Sequence, residues 1–230
     1  MDILATYATS VGYRPAPKIL LVEGTSDVAL FNRAAKLEFE RTAVHLLGQD
    51  LSIVAAGEGD AGGTHGVLQQ LTTLRSLAKL CLGQNGKPRY RIVALFDNDR
   101  AGRDAVRAAH DLDKSILEYK DVFRLRPIMP TPVNIDAPAI QRAFEQENQP
   151  HKELDWELED LLPQSFQTAF NDEHPSAQLK MVTNNGFVHR DYTRDGKARF
   201  HRYVREHALR EDMAGVCNVL RSMRRYLNMR

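Results

Sequence analysis

Ile92-Val93-Ala94-Leu95-Phe96-Asp97-Asn98-Asp99-Arg100-Ala101-Gly102 is the stretch whose reading decides the fold. A run of strand-forming apolar residues ends abruptly in carboxylates, and Gly102 follows where a helix begins. The run is the most continuous apolar segment of the chain, as expected of a central strand buried on both faces. A second segment, Ile19-Leu20-Leu21-Val22-Glu23-Gly24-Thr25-Ser26-Asp27, has the same form. Parallel α/β sheets hold their ligands at the carboxyl ends of the strands, so these acids would meet in one small volume. Alternate side chains of an extended segment point the same way, which lets Asp97 and Asp99 face one ion. Crowded carboxylates raise one another's pKa and need a counter-charge, for which the usual solution is a divalent cation held by oxygen ligands. Glu23, Asp97 and Asp99 are therefore candidate Mg²⁺ or Mn²⁺ ligands. Asp27 is either a fourth ligand or simply an acid that suits the N-terminal turn of the next helix.

Working outward, strands are expected at residues 18–22, 51–56, 89–96 and 119–125, separated by helices beginning near residue 27, at 67–81 and at 103–110. Such alternation predicts an α/β fold with a parallel sheet flanked by helices. Residues 1–17 read as a lead-in that ends where Pro15 and Pro17 fix an extended approach, residues 18–165 as the core and residues 166–230 as a basic, mostly helical C-terminal region. The loop 57–66 is half glycine and reads either as a phosphate cradle or as a flexible turn; it lacks the Lys-Ser/Thr ending of a P-loop. A short helix is expected at 139–146. In Leu154-Asp155-Trp156-Glu157-Leu158-Glu159-Asp160-Leu161-Leu162-Pro163, helical spacing puts Glu157 and Asp160 on one face, as a second acidic cluster or a solvated surface. The segment 195–207 reads as a helix with Phe200, Tyr203 and Val204 inward and His201 and His207 on the surface. A last helix over 213–227 places Arg221, Arg224 and Arg225 on its surface.

Composition sets the outer bounds. With 230 residues, 43% hydrophobic and 27% charged, the chain suits an ordinary globular protein of one or two domains. No apolar run approaches the roughly 18 residues a membrane span needs, and the N-terminus has no signal pattern, so a cytoplasmic location is expected. Cys81 and Cys217 stand alone, which gives no zinc cluster and fits a reducing compartment. Net charge is +1, yet residues 1–179 carry 19 Lys/Arg against 25 Asp/Glu while residues 180–230 carry 12 against 5. A basic end beside an acidic core suits a protein that acts on a polyanion, although solvated helix faces have the same composition.

The pair strand-Glu23-Gly24-x-x-Asp27 and strand-Asp97-x-Asp99-x-Ala101-Gly102 resembles the Toprim domain of topoisomerases, bacterial primases, small ribosomal-RNA maturation nucleases and the overcoming-lysogenisation-defect (OLD) nucleases. The resemblance covers residues 18–110 and implies a Toprim-like Rossmannoid sheet. Glu157-Leu158-Glu159-Asp160-Leu161-Leu162-Pro163 is similar to an acidic segment of the OLD-type branch, which implies that Glu157 with Glu159 or Asp160 completes a second metal site. Gly196-Lys197 looks like the late lysine of those nucleases, which implies that Lys197 faces the scissile phosphate. The implied activity is Mg²⁺- or Mn²⁺-dependent cleavage of DNA or RNA. With no Walker motif in the chain, the resemblance implies a stand-alone subunit, with a homodimer as one expected form, working with a separate ABC-type ATPase in antiviral defence. A structured-RNA endonuclease and a non-catalytic module that binds nucleic acid or a partner are the alternatives.

Overall fold

Period-two alternation along the strands sorts their side chains into two cores. In β1 (Lys18–Val22), Leu20 and Val22 enter one core while Ile19 and Leu21 enter the other. In β3 (Arg91–Phe96), Val93 and Leu95 join the first, and Ile92, Ala94 and Phe96 the second. With β2 (Leu51–Ala55) and β4 (Val122–Arg124) they form a four-stranded parallel sheet in the order β2-β1-β3-β4. The computed structural model describes residues 2–57, 63–131 and 136–229.

Helices cover both faces. On the second core lie α1 (Ile3–Ser10), α3 (Gly63–Leu80) and α4 (Arg100–Leu112). On the first lie α2 (Thr25–Thr42), α5 (Ala137–Asn148), α6 (Gln164–Glu173), α7 (Arg194–His207) and α8 (Ala214–Tyr226). A mixed α/β architecture with helices on both faces of a parallel sheet follows. One apolar cluster runs from Leu20 and Phe31 through Phe123 and Phe170 to Phe200 and Leu220, so residues 18–165 and 166–230 share a core. Burying each such phenylalanine contributes about 1.5–3 kcal/mol. Among the described residues, no helix is long and apolar enough to cross a membrane.

The structure adds detail to three expectations. Part of the lead-in 1–17 is helical: the Asp2 side chain caps α1 by accepting from the Ala5 N–H (3.0 Å), and Leu4 and Ala8 are buried. The C-terminal region contains a hairpin, β5 (Gln178–Asn184) and β6 (Phe187–Tyr192), turned at Asn185-Gly186 with φ of 47° and 82°. Asn-Gly with two positive φ values makes a type I′ turn, whose twist matches that of the flanking strands. The arginines of α8 are not simply a solvated face. Arg221 reaches buried Glu38 on α2 (2.6 Å), which Arg210 also holds (3.0 Å), and Arg224 pairs with Asp50 (3.0 Å). Much of the terminal basic charge thus fastens the last helix to α2 and the β2 end of the sheet.

Gly102 shows why the strand-to-helix turn after β3 takes that sequence. A Cβ there would lie 1.9 Å from the Asp97 carbonyl oxygen and 3.3 Å from an Asp99 carboxylate oxygen. Gly102→Ala must push the turn apart, at an overpacking cost of about 1–3 kcal/mol. Urea denaturation is expected to show the loss; an unchanged midpoint would contradict the close approach.

Candidate functional site

The strand order reverses between β1 and β3: the chain leaves β1 for β2 on one side, then returns past it to β3 on the other. In open α/β sheets the crevice for ligands forms at such a switch point, beyond the carboxyl ends of the strands. Glu23 follows β1 and Asp97 follows β3, so the two acids face each other across it. The Asp97 N–H points at Glu23 Oε1 at a long 3.4 Å. Asp27 lies in the first turn of α2, where Oδ2 accepts from the Gly24 N–H (2.9 Å). It serves both readings, as a helix-start acid and as part of the cleft lining.

A third wall comes from the later chain. Buried Asn98, between the two aspartates, donates its N–H to the Trp156 carbonyl (2.8 Å) and its side-chain amide to the Leu154 carbonyl (3.0 Å). This clamp extends the sheet edge with residues 154–156 and delivers the acidic segment to the cleft. That segment is a 3-10 turn, Leu158–Leu161, rather than the helix expected from its spacing. The clamp on one side and Pro163 on the other leave room for a single turn. Glu159 projects into the cleft, where the His201 ring nitrogen Nε2 meets its carboxylate at 3.0 Å. Lys197 Nζ lies 2.8 Å from Glu157 Oε2. Asp160 turns away: it accepts from the Glu157 N–H (2.8 Å) and the Arg190 N–H (3.2 Å) and pairs with His189 Nδ1 (2.6 Å).

The electrostatics follow from this crowding. Burial, aided by the charges of Asp27 and Asp99, lifts the Glu23 carboxyl to about 7. Burial and then Glu23, Glu159, Asp27 and Glu157 push Asp97 well above the usual carboxylate range. Burial also raises Glu157 to about 7 against the opposing pull of Lys197. Glu159 goes the other way: burial works against its charge, but the His201 hydrogen bond and the Lys197 and His201 charges outweigh it and hold the carboxyl at about 2. Burial disfavours the Lys197 charge, yet Glu159 and Glu157 keep its pKa above the ordinary value.

The acids floor an open cleft of about 630 Å³ whose far wall is α7. Arg194, Lys197, His201, Arg202 and Arg205 face it from that helix, at spacings that share one broad helical face. Gly57 and Gly63 border the opening; the rest of the glycine-rich expectation, residues 58–62, lies outside the described residues. Of the residues singled out by sequence, the cleft lining gathers Glu23, Asp27, Asp97, Glu159 and Lys197, with Glu157 joined through Lys197. Asp99 instead caps α4, accepting from the Gly102 N–H at 2.7 Å. Among the described residues, no three His, Cys, Asp or Glu side chains already converge as a cation cage.

His201 corrects the surface reading of that residue: it is 8% exposed. Its position four residues after Lys197 on one helix was the available signal. His189 has no local signal in the sequence, and its contacts are structural. Burial disfavours its charge, but Asp160 and then Asp191 outweigh that and raise it to about 9. The His189 contribution is therefore present below about pH 6.5 while Asp160 stays ionised and is lost as pH rises through about 9; burial raises the Asp160 pKa, so the pair also weakens toward acid. His189→Leu leaves Asp160 buried without its partner and is expected to cost about 3–5 kcal/mol near pH 6, with a smaller deficit above pH 9. Urea titrations at the two pH values check this. No protein-family model matches the chain, and no curated protein or solved structure matches it either.

Proposed function

We propose that the protein is a divalent-metal-dependent nuclease built on a Toprim-like sheet. The observation that carries this reading is a single cleft with opposite walls of opposite charge: Glu23, Asp97 and Glu159 on the sheet side, and Lys197, Arg202 and Arg205 on α7. An acidic cluster beside a basic track is the arrangement required to bring a cation and a phosphodiester together.

The donor chemistry fits magnesium or manganese. Glu23 and Asp97 offer hard oxygen donors whose burial, and then the charges of their acidic neighbours, raise their pKa values, so an entering cation would compete with protons and relieve that repulsion. Glu23 and Asp97 would hold the ion, with Asp27 and Glu159 beside them. When bound, the metal supplies an activated water and charge stabilisation for phosphodiester hydrolysis. The chain's own contributions are distinct. Lys197 places its ammonium against the phosphate, pairs with Glu157 and helps to keep Glu159 charged. His201 orients the Glu159 carboxylate. Arg202 and Arg205 hold the strand through its backbone, which carries no sequence preference.

A second reading rests on one specific feature: Lys197 and His201 already neutralise Glu157 and Glu159, as they would in a cleft that binds nucleic acid without cutting it. Incubation with single- and double-stranded DNA and with RNA, with Mg²⁺, Mn²⁺ or a chelator, separates the two. Metal-dependent cleavage is expected, with binding that weakens steeply as salt rises. Arg202→Ala with Arg205→Ala should reduce the slope of log affinity against log salt by about 1.4–1.8. Tight binding with no cleavage of any substrate would leave only the binding module.

A further inference from the structure

A second cavity, of about 360 Å³, opens at the other end of the sheet, where β1 and β3 begin. Its volume is at the small end of the range for ligand sites, roughly 300–1,000 Å³. Lys18 and Arg91 start the two strands, and Arg75 and Lys79 reach it from the last turns of α3. Lys18 and Arg91 are direct neighbours in the parallel register, so two like charges stand side by side on adjacent strands. Such pairs are destabilising unless an opposite charge offsets them. Burial and the Arg91 charge together pull the Lys18 ammonium below its usual pKa.

The protein's own acid does not offset them. Asp121 lines the cavity, but it is closely paired with Arg75 and also accepts from the Leu117 N–H (3.2 Å). Arg91 spends one donor on the Lys120 carbonyl (3.0 Å). Neither the Lys18 nor the Lys79 ammonium has a hydrogen bond or ion pair among the described residues, although the field of Lys79 reaches exposed Asp113. Tyr90 and Pro88 add an apolar side to the cavity. A concave site with convergent cations and an apolar wall suits an anion that carries an organic body.

We propose that this cavity binds a small phosphate-bearing ligand, with the phosphate between Lys18, Arg91 and Lys79 and the remainder against Tyr90 and Pro88. The site is separate from the cleft and independent of the nuclease reading. Calorimetric titration of the full chain with inorganic phosphate, pyrophosphate and adenosine 5′-monophosphate tests it. Binding is expected for at least one probe, weakened about tenfold or more by Lys79→Glu, the loss of one charge-assisted contact. Lys79 is exposed, so that variant should keep the fold, which circular dichroism checks. Lys18→Gln should weaken binding as well, whereas Arg202→Ala, in the cleft, should leave it unchanged. The proposal is overturned if none of the three probes binds, if Lys79→Glu and Lys18→Gln bind like the original chain, or if Arg202→Ala abolishes binding. An oligonucleotide that needs Lys18 and Lys79 while adenosine monophosphate fails to compete would mark a nucleic-acid track, and would overturn it too.

Discussion

In the proposed nuclease, Asp97→Asn is expected to reduce metal-dependent cleavage to background and, at neutral pH without metal, to make the protein more stable. Both effects come from the same placement. Asp97 ends the central strand at the switch point and faces Glu23, with Glu159 and Asp27 contributing to the same field. An amide keeps the shape and removes the charge that a cation needs. It also removes a buried carboxylate whose neighbours repel it. Because folding raises the pKa of Asp97, Glu23 and Glu157, the folded chain holds protons more tightly than the unfolded chain. Stability from these groups is therefore greatest below the ordinary carboxylate range and falls as pH rises toward about 7, where Glu23 and Glu157 lose their protons. Thermal denaturation at about pH 5 and about pH 7.5 should show that fall, a flatter profile in Asp97→Asn, and recovery of the original chain on adding Mn²⁺. Cleavage that survives Asp97→Asn and Glu23→Gln would falsify the assignment of these acids. A melting point that does not respond to Mn²⁺ would count against a cation site.

Lys197→Met should lower the cleavage rate about 10²–10³-fold, the usual effect of removing one charged or hydrogen-bonding group from a developing oxyanion. Its ammonium, 2.8 Å from Glu157 and in the field of Glu159 and Asp97, lies where the acidic wall meets α7. The side chain is 36% exposed, so solvent screening makes its loss less damaging to the fold than that of a fully buried pair. Nucleic-acid affinity should fall by about tenfold or less, because Arg202 and Arg205 remain to carry the backbone contacts. Lys197→Arg should recover part of the affinity and little of the rate, since a planar guanidinium cannot occupy the position of a point charge. A rate within tenfold of the original would remove Lys197 from the chemistry.

The strands were legible because a buried parallel strand has to be a continuous apolar run, and the acids at their ends were legible because the run breaks there. The Asn-Gly at residues 185–186 and Asp2 ahead of Leu4 were also local signals, for a hairpin and a helix, that the broader pattern obscured. Other features had no local signature. Asp97 and Asp99 look equivalent in Asp-x-Asp, yet Asp99 goes to the helix cap while Asp97 faces the cleft. Glu159 and Asp160 are adjacent in sequence, but one meets His201 and the other His189.

Sequence alone determined that the chain alternates strand and helix and that Glu23 and Asp97 end two strands, since hydrophobic periodicity and its interruption are properties of neighbouring residues. Only the tertiary structure decided which acids share a cleft and which basic residues oppose them. Strand order, the Asn98 clamp and the docking of α7 and α8 are set by packing between residues far apart in the chain. That packing sends Arg202 and Arg205 to the cleft and uses Arg221 and Arg224 to fasten the last helix.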